Sequence, residues 1–151
     1  MKILDYLDEG CLLLNLKKGS KKEVIERLVS FMPDSGAEGD NARIVKALLE
    51  RESIGSTGIG NGVAIPHAKT DAVDSIRVVY AYSHEGIDYD AADGNSANFF
   101  FMVLSPPGEA SGQLRLLARI SRLMGNRLLR SELKEAGSPK EAIEVIRKYD
   151  E

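Results

Sequence analysis

A chain of 151 residues with 43% hydrophobic content is about one ordinary domain, with enough chain to bury one sizeable core and too little for a second full domain. Charged residues at 28% and only five prolines exclude a disordered or collagen-like chain. Twenty Lys plus Arg against 23 Asp plus Glu leave a net charge of −3, which excludes a basic nucleic-acid-binding arm and any general attraction to anionic lipid.

Acids within Met1 to Glu9 interrupt the apolar stretch that a secretory signal needs, so no export signal is expected. The single cysteine, Cys11, excludes an internal disulfide and a Cys-rich zinc site, and fits a reducing, cytoplasmic compartment. Beside Leu12-Leu13-Leu14 it is expected as a packed thiol. Ser20-Lys21-Lys22-Glu23 opens a first helix with a capping box, and Val24, Ile25, Leu28, Val29 and Met32 mark its apolar face up to a stop at Pro33. Residues 34–39 read as a loop. Asp40 or Asn41 then caps a second helix that buries Ile44, Val45, Leu48 and Leu49 and delivers Arg51 and Glu52 at its end.

Ser53 to Gly62 is glycine-rich loop, followed by a short strand at Val63-Ala64-Ile65. Ile76 to Tyr82 and Ala97 to Leu104 are rich in β-branched and aromatic residues and read as longer strands. The uninterrupted apolar run Phe99 to Leu104 suits a central strand covered on both faces, and is far short of the ~20 residues that span a bilayer. Ser111 caps a third helix with Leu114, Leu116, Leu117, Ile120, Leu123 and Met124 at helical spacing, ended by Gly125. Asn126 and Gly137 bracket a fourth, and Ser138-Pro139-Lys140-Glu141 starts a fifth with a cap, a first-turn proline and a capping-box glutamate. Helices separated by strands in one core-sized unit, residues 1–151, point to a single-domain α/β sandwich.

The chemistry concentrates between Arg51 and Lys69. Gly55, Gly58, Gly60 and Gly62 permit positive backbone dihedrals, so successive N–H groups can converge on an anion, with the hydroxyls of Ser56 and Thr57 as further donors. Neither G-x-G-x-x-G nor G-x-x-x-x-G-K-[ST] can be written here, which rejects dinucleotide and P-loop readings. For the glycines alone, simple turns are the plainer explanation. His67, held immediately after Pro66, changes the balance: a neutral imidazole offers a nitrogen lone pair suited to attack on phosphorus. Arg51 can reach phosphoryl oxygens, or can equally satisfy the last carbonyls of its helix. Asp71 and Asp74 are near enough in sequence to orient the ring. Two separated histidines and scattered carboxylates lack metal-ligand spacing, so no metal is expected.

The segment Leu49 to His67, with Gly86-Ile87-Asp88-Tyr89, the turn Asp93-Gly94, the strand Phe99 to Leu104 and the helix Gln113 to Ala118, strongly resembles the enzyme IIA domains of the mannitol, fructose and nitrogen-regulatory class of the bacterial phosphoenolpyruvate-dependent phosphotransferase system. The resemblance covers nearly the whole chain. It implies a three-layer sandwich whose mixed, mainly parallel central sheet carries helices on both faces. It also implies His67 as phosphoacceptor, Arg51 as a phosphate ligand, support from Ser56, Thr57, Gly58 and Gln113, and no dissociable cofactor.

At Gln113 this sequence departs from the many members that place a second histidine there. An amide cannot protonate, and its bond to a phosphoryl oxygen is worth about 1 kcal/mol where a cationic imidazole offers ~1.5–3 kcal/mol. A solvated residue near a helix start is the alternative for Gln113. His84 is expected to face solvent in a turn. The implied partners are a histidine-containing phosphocarrier protein and either a permease IIB component or a regulatory target such as a kinase or transporter, without nucleic acid or membrane insertion. The absence of a fused permease segment and the glutamine favour the nitrogen-regulatory type, and a fructose or mannitol uptake subunit is the alternative.

Overall fold

In the computed structural model of the chain, residues 1–32 and 38–151 are described. Short 3-10 turns at Ile3–Asp5 and Glu9–Cys11 lead to β1 (Leu12–Leu13), α1 (Lys21–Ser30) and α2 (Glu38–Ile54). Then come β2 (Gly58–Gly60), β3 (Val63–Ala64), β4 (His67–Lys69), β5 (Arg77–Ile87) and β6 (Ala97–Ser105). A 3-10 turn at Pro107–Glu109 feeds α3 (Ala110–Met124), followed by α4 (Arg127–Glu135) and α5 (Pro139–Tyr149).

The strand β6 is the spine of the sheet. It pairs antiparallel with β5 on one side and parallel with β3 and β4 on the other, while β1 extends the sheet beyond β5 and β2 beyond β3. Parallel pairings predominate among the described residues, so the sheet is mixed and mostly parallel, as expected. The apolar run of β6 makes its central position favourable. Phe99, Phe101 and Val103 pack with Val78, Tyr80 and Tyr82 beneath Leu116, Ile120, Leu129, Leu133 and Ile143 of the three C-terminal helices. Phe100, Met102 and Leu104 pack with Val79 and Ala81 against Val24, Ile25, Leu28, Ile44 and Leu48 of α1 and α2. Each fully buried large apolar side chain contributes roughly 1.5–3 kcal/mol, so these two clusters, more than the two- and three-residue strands, hold the three layers together.

Local capping chemistry sets most helix starts. Ser20 and Glu23 form the expected reciprocal box at α1, and Asn126 and Ser138 accept backbone N–H groups at α4 and α5. At α5 the Glu141 carboxylate accepts from Gly137 N, not from the capping Ser138, so the expected box is displaced by one residue. Ser111 is no cap: the turn that Pro107 starts winds directly into α3 at Ala110. The expected stop at Pro33 lies outside the described residues, as does the loop over 34–37. Residues 38 and 39 already belong to α2, so that helix begins ahead of Asp40 and Asn41.

The strands β1, β2 and β4 are too short to announce themselves by alternation. β5 continues through Ser83-His84-Glu85-Gly86, where a turn was expected; a register shift between Tyr82 and Ile87 absorbs Gly86 at φ 82°. His84 itself is exposed, in agreement with the sequence.

Asn61 and Gly62 join β2 to β3 with φ of 58° and 75°, the two-residue hairpin geometry that demands left-handed backbone. A Cβ at position 62 meets Asn98 Oδ1 at 3.3 Å as well. Gly62→Ala is therefore expected to lower stability by about 1–2 kcal/mol. Urea denaturation checks this, and an unchanged midpoint contradicts it.

Candidate functional site

Residues 63–69 follow β6 as one path, with Val63 opposite Phe99, Ala64 opposite Phe100 and His67 opposite Val103. Pro66 interrupts the ladder because it has no N–H, although its carbonyl still accepts from Val103 N at 2.9 Å. Ile65 N bonds outward to Thr57 O at 3.0 Å, and the Ile65 carbonyl is taken by the imidazole of His67, with Nδ1 at 2.6 Å. A carbonyl only accepts, so Nδ1 carries the proton and Nε2 keeps the lone pair. The ring is half-buried. Burial pushes its pKa below the ordinary histidine value; the bond to Ile65 opposes this, the charge of Arg51 reinforces it, and Glu52 and Lys69 act more weakly in opposite directions. The neutral ring is the form favoured at neutral pH.

His67 lines a cavity of about 670 Å³ walled by the end of α2, by β4 and by the start of α3. Arg51 and Gln113 line the same cavity, so three of the sequence-derived residues come together. Arg51 donates one guanidinium N–H to Gly55 O at 2.9 Å, which makes it both a helix-end cap and a wall of the cavity, since four further N–H groups remain. Gln113 is buried, 3% exposed, and its Nε2 donates to Ala68 O at 2.8 Å. That overturns the solvated alternative: the amide ties α3 to the strand that bears His67.

Ser56, Thr57 and Gly58 are not brought to the cavity. Ser56 Oγ donates to Tyr89 O at 2.6 Å and accepts from Gly58 N at 3.0 Å. The Thr57 hydroxyl donates to the buried carboxylate of Glu52, which also accepts from Thr57 N at 3.1 Å and pairs with Lys21 at 3.1 Å. Gly58 lies in β2, where an added Cβ meets the Ala91 backbone at 2.9 Å, so its glycine serves close packing. The expected anion nest is thus a hairpin in which the Ser56 and Thr57 hydroxyls and the N–H groups of Thr57, Gly58 and Asn61 already have acceptors. Asp71 and Asp74 pair with Arg43 and Arg77 and not with His67. Cys11 is buried as expected, and burial raises its thiol pKa.

Sequence reasoning left three contributors unassigned. Lys69 lines the cavity two residues after His67, and the period of a strand puts both on one face. The first turn of α3, with Ala110 and Ser111, opens onto the cavity, and its N-cap residue Glu109 makes no side-chain cap bond. Ile54 and Leu114 flank the cavity at 83% and 70% exposure. Leu114 was expected on the apolar face of α3 with Leu116 and Ile120, which are buried; its position one step off that stripe was the available signal.

Among the described residues no group of three or more His, Cys, Asp or Glu is placed to hold a metal ion, and no helix is long and apolar enough to cross a membrane. Residues 5–149 match the family model described as "Phosphoenolpyruvate-dependent sugar phosphotransferase system, EIIA 2". The chain is 40% identical over 127 residues to the PTS system fructose-specific EIIA component of Haloferax volcanii, covering 84% of this chain and 82% of that one. It is 36% identical over 150 residues to the PTS system fructose-specific EIIABC component of Bacillus subtilis, covering 99% of this chain but 24% of that much longer protein. In structure it is similar to the nitrogen regulatory protein IIA-Ntr from Neisseria meningitidis, with a TM-score of 0.81, 28% identity, and coverage of 94% and 97% of the two chains.

Because the folded state holds His67 with a depressed pKa, the unfolded chain binds more protons just below pH ~6.5, and stability rises with pH through that window. An NMR titration of the His67 ring is expected to give a midpoint below that of an unfolded histidine, and His67→Gln is expected to flatten the corresponding part of the stability profile. A midpoint above the ordinary value contradicts the burial argument.

Proposed function

The chain belongs to the EIIA 2 family of the phosphoenolpyruvate-dependent sugar phosphotransferase system, and from that premise we propose that Nε2 of His67 accepts a phosphoryl group from a phosphohistidine on a small carrier protein. The observation that carries this reading is the bond from Nδ1 to the Ile65 carbonyl inside a cavity that Arg51 also lines. As the bond from Nε2 to phosphorus forms, the donor's N–P bond breaks and its electron pair returns to the donor imidazole. Nδ1 keeps its proton, so the phosphorylated ring carries positive charge that the Ile65 carbonyl offsets. The free N–H groups of Arg51 and the ammonium of Lys69 face the incoming oxygens, and the positive end of α3 adds to the same field. The depressed pKa keeps the nucleophile unprotonated. Ile54 and Leu114 supply an apolar rim on which a protein partner docks around the polar centre. No dissociable cofactor is needed, and Ser56, Thr57 and Gly58 support the phosphoryl group only indirectly, by fixing the loop after Arg51.

The destination of the phosphoryl group is read first as regulatory, of the nitrogen-regulatory type: a cytoplasmic protein whose phosphorylation state alters binding to a kinase or transporter. Gln113 supports this, because an amide bound to Ala68 O brings no second ionisable ring to the cavity, and a switch tolerates slow onward transfer. The two fructose-specific relatives support a second reading, onward transfer to a permease IIB component.

Incubation with phosphoenolpyruvate, the upstream enzyme and the phosphocarrier is expected to give an acid-labile mass increase on wild type and none on His67→Ala. Arg51→Gln is expected to slow labelling by about tenfold, the loss of one charge-assisted contact. Labelling of His67→Ala at the wild-type level contradicts the assignment. Rapid loss of the label to an added fructose-type IIB component supports the second reading over the first.

A further inference from the structure

We propose that a second, basic cavity at the opposite end of β6 from His67 binds a small phosphomonoester dianion. This cavity, about 330 Å³, lies between the outer ends of β5 and β6 and the helix α4. Arg127, Arg130 and Lys134 of α4 line it together with His84 of β5. Their spacing of three and four residues sets the three cations on one helical face, where like charges repel unless something negative lies between them. Among the described residues none of the three forms an ion pair. The acidic Glu132 of the same helix is engaged elsewhere, by Lys148 and Tyr149 of α5. Glu135, the other carboxylate of α4, has its charge felt at the Tyr82 hydroxyl and is the local group that opposes an anion. The concavity is thus locally basic within a chain whose net charge is −3.

The rest of the cavity is built to hold a ligand in place. Arg130 is anchored by a bond from Nη1 to Met124 O at 2.7 Å. Asn98 is fixed by donation from Nδ2 to Ser83 O at 2.9 Å, and Ser131 brings a hydroxyl. Tyr82 and Phe99, both buried and with their rings 5.3 Å apart, supply the apolar part of the lining. Two guanidinium forks and an ammonium match the oxygens and double charge of a phosphomonoester better than the single charge of a carboxylate. The volume, at the lower end of the range for small-molecule pockets, suits a compact ester. Phe99 and Val103, which pairs with His67, are four residues apart on β6, or ~13 Å. The two cavities share no lining residue, so occupancy of one is separable from chemistry at the other.

Titration of isotope-labelled full-length protein with glycerol 3-phosphate, inorganic phosphate, acetate and a short acidic peptide, at constant ionic strength, tests this by NMR. The expected result is saturable amide shifts at His84, Asn98, Ser131 and Lys134 with both phosphates, weaker with acetate. Arg127→Ser with Lys134→Ser, both at exposed helix positions, is expected to weaken binding by tenfold or more. His67→Ala is expected to leave it unchanged, so failure here and failure of the phosphoacceptor reading are distinguishable. Phosphate shifts confined to the His67 cavity, equal affinity in the double variant, or binding of the acidic peptide without binding of the phosphates overturns the proposal.

Discussion

The candidate site depends on one hydrogen bond, from Nδ1 of His67 to the carbonyl of Ile65 at 2.6 Å. It fixes the tautomer, and with it which ring nitrogen can act as a nucleophile. Nothing about histidine alone makes that choice. The choice follows from Pro66, which breaks the ladder along β6 just before the ring, and from the end of the β2 pairing, which leaves the Ile65 carbonyl for the imidazole. The buried run of β6 holds this path still, because both faces of that strand are packed and it cannot slide without exposing one of them.

Around that bond the molecule divides its polar groups between two tasks. Those near Glu52 are spent on structure: Lys21, Thr57 and Glu52 form a buried network that pins the chain between α2 and β2. Burying such a carboxylate is tolerable only because its oxygens are met by an ammonium, a hydroxyl and a backbone N–H. Those near His67 remain partly uncommitted, with most of the Arg51 fork and the Lys69 ammonium facing open space. Adjacent residues such as Arg51 and Glu52 point to opposite tasks because they lie on different sides of the last turn of α2.

Much of this was legible in the sequence where a single local rule decides. The caps of α1, α4 and α5 follow from Ser and Asn chemistry, and the apolar run of β6 could be satisfied only at the centre of a sheet. His67, Arg51 and Gln113 were identified as neighbours through resemblance, and the fold places them in one cavity. What was misread depends on pairings distant in sequence. The loop suggested an anion nest because its N–H groups had no visible partners; Thr57 N donates to the Glu52 carboxylate, Gly58 N to the Ser56 hydroxyl and Asn61 N to the Asp93 carboxylate. Ser83 to Gly86 looked like a turn because a bulged strand and a turn use the same residues, and only pairing with β6 separates them. Leu114 lies at the edge of the apolar stripe of α3, one step from the buried Leu116 and Ile120 line, and that edge meets solvent where the sheet ends.

Nitrogen–phosphorus correlation NMR on protein with labelled histidine, after phosphorylation through the carrier, shows whether the Ile65 carbonyl assigns the proton to Nδ1 and so directs phosphorus to Nε2. The expected result is phosphorus bonded to Nε2 of His67, with a proton retained on Nδ1. Phosphorus on Nδ1, or on a residue other than His67, contradicts it.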